Sequence, residues 1–118
     1  MTNNFVLEFK SFHSPDVEDL LTWEPSSPRD VCYWLEFELG EPKKEESFVF
    51  GVTIATKEGF NDSQDKYPNA FFQPVLYVEN YSWRKTMVEL QNILRQQKYG
   101  SWVEAIDVLK DKFAFEHR

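Results

Sequence analysis

Hydrophobic and polar positions alternate with a period of two over three stretches. Phe5, Leu7 and Phe9 share one face of the run 5–10. Val31, Tyr33, Leu35, Phe37 and Leu39 share one face of the run 31–39, leaving Cys32, Trp34, Glu36 and Glu38 on the other. Phe48, Phe50, Val52 and Ile54 alternate with Ser47, Val49, Gly51 and Thr53. Successive side chains of a strand point to opposite faces, so each run predicts a strand with one buried side. Gly40-Glu41-Pro42-Lys43-Lys44 joins the second run to the third and predicts an antiparallel hairpin. A fourth strand is expected over 71–78, apolar on both sides from Val75 to Val78. Pro74 places its start nearby or puts it at a sheet edge.

After Ser82 the period becomes helical. Trp83, Met87, Leu90 and Leu94 recur at i, i+4, i+7 and i+11, with Ile93 beside them, and form one apolar stripe. Lys98-Tyr99-Gly100 predicts the end of that helix, with Gly100 as a left-handed cap. Ser101-Trp102-Val103-Glu104 reads as a capping box opening a second helix that buries Trp102, Ala105, Ile106 and Leu109. Phe113-Ala114-Phe115 predicts a short last strand or a packed tail. Earlier in the chain, Ser14 before Pro15 suits a helix start, extended one or two turns through Val17–Leu21. Glu24-Pro25-Ser26-Ser27-Pro28 must be loop, because its prolines stop regular structure. Residues 57–69 show little periodicity and predict a long loop with room for one short turn.

Strands first and helices last predict an α+β fold. The expectation is a mainly antiparallel sheet of four to five strands, with two C-terminal helices packed on one face, in a single domain over 1–118. The face away from the helices would carry Cys32, Trp34, Glu36 and Glu38. Trp34 is then either a second core residue or an exposed aromatic of the kind that anchors interfaces. Trp23 is either a lid over the core or part of a surface patch, while Trp83 and Trp102 fall on apolar helix stripes.

Composition changes this picture by exclusion. The chain has 118 residues, 17% of them aromatic, too many for a disordered protein. No stretch of about 18 uncharged apolar residues exists, so no membrane span is expected. The first residues carry no basic region followed by an apolar one, so no secretory signal is expected, and a single Cys fits a reducing, cytoplasmic setting. The net charge is −7, which argues against binding the phosphate backbone of nucleic acids. That charge is one-sided: residues 1–50 hold 11 acids and four bases, and residues 51–118 hold nine of each. The first half therefore offers either a solvated surface or an acidic patch for a basic partner.

Chemistry-bearing clusters are sparse. His13 and His117 are the two histidines, Cys32 is the lone cysteine, and neither CxxC nor HExxH occurs. No metal, no cofactor and no catalytic residue are expected on that basis. Cys32 sits mid-strand, where a free Cys is more often a small hydrophobe. His13 with Asp16 offers a base and an orienting acid, but a Ser-Pro helix start accounts for the same residues. The four scattered glycines cannot build a phosphate loop.

Phe12-His13-Ser14-Pro15-Asp16-Val17-Glu18-Asp19-Leu20, followed by Trp23-Glu24-Pro25, resembles the start of the immunity protein 8 family of bacterial polymorphic toxin systems. Gly40 with Glu46-Ser47-Phe48 resembles that family's Gly…Glu-Ser-Phe segment. Gly100-Ser101-Trp102-Val103-Glu104 resembles its Gly-x-Trp-x-Glu helix start, and Phe113-Ala114-Phe115-Glu116 its aromatic-acidic ending. The pieces come in the family's order and cover nearly the whole chain. Two departures stand out: Ala55-Thr56-Lys57-Glu58-Gly59-Phe60 replaces a Thr-Pro-Lys-Trp-like segment, and Phe113-Ala114-Phe115 replaces Trp-Glu-Phe. The resemblance implies a cytoplasmic, non-enzymatic protein that binds and occludes a cognate toxin domain. Asp16, Glu18, Asp19, Glu24, Glu36 and Glu38 are the acids expected to face a basic toxin, with Trp23 or Trp34 as aromatic anchor. A small enzyme built on His13 and nearby acids, or a self-associating structural subunit such as a dimer, are the alternatives.

Overall fold

The computed structural model describes residues 5–70, 73–96 and 98–116. Among the described residues, five strands and three helices follow one another: β1 (Glu8–His13), β2 (Cys32–Gly40), β3 (Ser47–Ala55), α1 (Lys57–Lys66), β4 (Val75–Tyr77), α2 (Trp83–Arg95), α3 (Trp102–Leu109) and β5 (Ala114–Glu116). This is an α+β architecture on one mixed sheet. β1, β2 and β3 form an antiparallel meander. The far edge of β3 is shared: β5 pairs antiparallel at Val49–Gly51, and β4 pairs parallel at Thr53–Ala55. The β3–β4 pair makes the sheet mixed, because α1 carries the chain back over the sheet before β4 begins.

The β2–β3 hairpin keeps the register that its alternation dictates, Tyr33 opposite Ile54 through Phe37 opposite Phe50 to Leu39 opposite Phe48. A one-residue slip would turn every one of these side chains to the wrong face. The turn has Pro42 second and Lys43 third at φ 66°, with the Lys44 N–H donating to the Glu41 carbonyl at 3.2 Å, as a type II turn requires.

The inner face is covered by α2 and α3, as the apolar stripes predict. Leu35, Phe37, Leu39, Phe50, Val52 and Ile54 are at most 1% exposed and pack with Leu90, Leu94, Ala105, Leu109 and Phe113. Phe37 is an aromatic hub, with ring centroids 5.2 Å from Phe9 and 4.9 Å from Phe113, both edge-on. Trp83 and Trp102 clamp the two ends of this layer, against Phe12 at 5.1 Å and Phe48 at 4.5 Å.

Four expectations need correction. The first strand starts at Glu8 rather than Phe5 and continues to His13. Phe5 instead forms an isolated bridge with Tyr99 and packs edge-on to Trp102. No helix forms after Ser14: its hydroxyl accepts the Asp16 N–H at 3.1 Å, and the Asp19 carboxylate accepts the Leu21 N–H at 3.1 Å. These local bonds outcompete helix propagation, leaving one turn from the Trp23 N–H to the Asp19 carbonyl. Residues 57–66, expected as loop, form α1. Finally, α2 ends at Arg95, and no glycine has positive φ. The Leu94 carbonyl takes the Tyr99 hydroxyl at 3.0 Å, and the Gly100 N–H goes to the Glu104 carboxylate at 2.6 Å, so neither group needs a left-handed cap. Phe71, Phe72 and His117, which also entered the sequence reading, lie outside the described residues.

Candidate functional site

The outer face of the sheet has two parts. One end is covered by α1. Its N-cap Thr56 is buried and serves three groups: its hydroxyl accepts the Gly59 N–H and the Val31 N–H, both at 3.0 Å, and donates to the Arg29 carbonyl at 2.6 Å. This ties the helix start to the entry of β2. Gly59 then rests on the Val31 backbone so closely that a Cβ would lie 2.2 Å from the Val31 carbonyl oxygen. Phe60 packs edge-on to Tyr77 at 5.6 Å, and Ser63 reaches Cys32. Burial pushes the Cys32 thiol up, the Ser63 hydrogen bond opposes this, and the nearby Asp16 carboxylate adds to the rise. A thiol held protonated is a poor nucleophile.

The rest of the outer face carries Trp34, Glu36 and Glu38, all half-buried, in a row along β2. Ser11 of β1 stands opposite Glu38 and donates to its carboxylate at 3.0 Å; His13 stands opposite Glu36. Where β1 leaves the sheet, the exposed Trp34 N–H edge is taken over by Asp16, whose carboxylate accepts it at 2.9 Å. On the β3 side, the six-membered ring of Trp34 occupies the space over Gly51: a Cβ there would lie 2.1 Å from its Cζ2. Gly51 is the cross-strand partner of Glu36, so the indole lies next to the position of Glu36 on this face.

The eight residues singled out in the sequence thus separate in space. Asp16, Trp34, Glu36 and Glu38 come together on the outer face. Trp23 turns the other way, edge-on to Tyr33 at 5.6 Å and to Tyr81 at 5.3 Å on the core side. It packs on both rings of the Tyr33–Tyr81 pair, whose hydroxyls lie 2.8 Å apart. Burial foremost, then the hydrogen bond to Tyr81, holds the Tyr33 phenol far above its ordinary range; burial also raises Tyr81. Glu18 and Asp19 line a small cleft with Phe12, Val17, Leu20 and Trp83 at the β1 edge. Glu24 is exposed on the same loop. His13 is exposed, and the Asp16 carboxylate is engaged at the Trp34 N–H.

Two features were not foreseen from the sequence, because both depend on α1. Asp30, Glu58 and Asp62 each bring an oxygen within 4.8 Å of the others on the exposed surface. A hydrogen bond with Asp30, and repulsion from it, raises the Asp62 carboxyl. A groove of about 900 Å³ runs past Arg29, Lys57, Phe60 and Tyr77. The N-cap pattern Thr56-Lys57-Glu58-Gly59 was the one available signal for this helix.

Among the described residues no helix is long and apolar enough to cross a membrane. Over residues 7–118 the chain matches the family model described as Immunity protein 8. This small α+β protein therefore belongs to the immunity protein 8 family. Comparison with curated proteins and with solved structures gave no match.

Proposed function

We propose that this chain is a cytoplasmic immunity protein that binds a cognate toxin domain with the outer face of its sheet and occludes it, without catalysis of its own. The observation that carries the reading is the half-buried row Trp34, Glu36 and Glu38, with Asp16 at its margin, on the sheet face opposite α2 and α3. An aromatic flanked by carboxylates, on a rigid strand, supplies both an anchor and complementarity to a basic surface. Toxins that act on nucleic acid have such surfaces, because they bind phosphates. Glu18, Asp19 and Glu24 lie off this face and act through the long-range field, drawing the toxin in. Trp23 belongs to the core side and has no direct part.

The test is association with the cognate toxin domain, recovered by pull-down from the native host. Glu36→Lys with Glu38→Lys is expected to slow association at least about tenfold at low salt. It should also abolish neutralisation when toxin and variant are co-expressed. Unchanged rates, with the variant still folded, would move the binding surface elsewhere.

A further inference from the structure

The outer face has a finer structure than an acidic patch. Trp34, Glu36 and Glu38 recur every second residue along β2, which sets neighbouring Cα atoms about 6.5–7 Å apart. Their surroundings differ. Glu38 already accepts a hydrogen bond from Ser11. The Glu36 carboxylate has no hydrogen bond or ion pair among the described residues, although it is half-buried. Directly across the strand pair from it is Gly51, and the space that a side chain would fill there is taken by the Trp34 ring. The aromatic plate therefore lies next to the strand position of Glu36, seated over a glycine that admits the ring.

We infer that this constellation is a receptor for one arginine side chain of the partner, its guanidinium stacked on the Trp34 indole and paired with the Glu36 carboxylate. The inference rests on the docking reading above and names its contact chemistry. Charge complementarity favours a cation, since Asp16, Glu36 and Glu38 all lie on this face. Arginine rather than lysine fits because its planar group stacks on an aromatic face while its edge still offers paired N–H donors to a carboxylate. Ammonium groups offer a point charge with no plane, so they gain less from the indole. Gly51 is then a positioning residue: a Cβ there must displace the ring.

Isotope-labelled protein titrated with a blocked Gly-Arg-Gly peptide, and with its Gly-Lys-Gly counterpart, tests this by NMR. Saturable shifts are expected at the Trp34 indole N–H and the Gly51 amide, with the lysine peptide binding at least about threefold more weakly. Glu36→Gln should weaken the arginine peptide at least about fivefold, and Glu38→Gln less than about twofold, because Ser11 already occupies that carboxylate. Gly51→Ala should lose the indole response while the remaining spectrum stays folded. Absence of a saturable shift at Trp34, or equal responses to both peptides that Glu36→Gln does not alter, overturns the inference. The toxin assay separates the two readings. If the paired lysine substitutions abolish toxin binding but no arginine response exists, only the receptor fails. If the arginine response exists but toxin binding survives the substitutions, only the docking reading fails.

Discussion

At the scale of single residues, the buried Tyr33–Tyr81 pair shows how a polar contact holds its place in an aromatic core. Each phenol is desolvated, and each hydroxyl is the other's partner at 2.8 Å. Removing one leaves the other buried and unsatisfied, so Tyr33→Phe is expected to cost about 1–3 kcal/mol at neutral pH. The pH dependence has a definite sign. Both phenols titrate above the ordinary value of about 10, so the folded chain holds these protons more tightly than the unfolded chain does. Their contribution is complete below pH of about 10 and is lost as the pH rises beyond it toward the folded values. Urea denaturation at a series of pH values should show wild-type stability falling above that point. Tyr33→Phe should fall less steeply, since it removes the more strongly shifted group; equal slopes would count against the pair. The same residues explain what was unreadable about Trp23. Its flanking Thr22 and Glu24 suggest a surface, but Tyr81 comes from 58 positions further along, and only the folded chain brings it there. Trp34 could be placed on its face from alternation alone, yet its seat over Gly51 required the β2–β3 register.

At the scale of elements, α1 sets local propensity against docking. Glycine inside a helix is about 1 kcal/mol worse than alanine, so propensity alone favours Gly59→Ala. Docking reverses the sign: the added methyl would meet Val31 N, C and O at 2.2–2.5 Å, all backbone atoms that cannot turn aside. Overpacking of this kind costs about 1–3 kcal/mol. The helix must also lift from β2, straining the Thr56 bonds to Val31 and Arg29. A net loss of stability, read as a lower urea midpoint, is expected; a neutral or stabilised variant would mean that α1 does not sit this close. The same balance accounts for what the sequence concealed. The strands of the meander were legible because each has one polar and one apolar side, and their alternation is local. α2 and α3 were legible because they carry continuous stripes and strong N-caps at Ser82 and Ser101. α1 lacks a stripe: only Gly59 and Phe60 are buried along its ten residues, and its cap, one close backbone approach and the Phe60–Tyr77 contact hold it. The segment after β1 misled in the opposite direction, because Ser14 and Asp19 are as good at closing turns as at capping helices.

At the scale of the molecule, the excess acid of residues 1–50 is dispersed by the fold. Glu36 and Glu38 lie on the outer sheet face, Glu18 and Asp19 beside the β1 edge, and Glu41, Glu45 and Glu46 around the hairpin tip. A basic partner still more than about 8 Å away, one Debye length at physiological salt, feels weakened contributions from all three groups. A docked partner feels chiefly those it covers. Rates should therefore separate the groups. Neutralising Glu45 and Glu46, both exposed, is expected to slow association by about two- to threefold at low salt. That effect should vanish at high salt and leave dissociation unchanged, because these side chains stay solvated in the complex. Glu36→Gln with Glu38→Gln should speed dissociation as well, and this part should persist at high salt, since a covered contact is not screened. Stopped-flow association and chase dissociation against the toxin domain, across a salt series, measure both. Should the Glu45 and Glu46 variant instead accelerate dissociation, the covered surface lies at the hairpin tip, and the sheet face contributes only field.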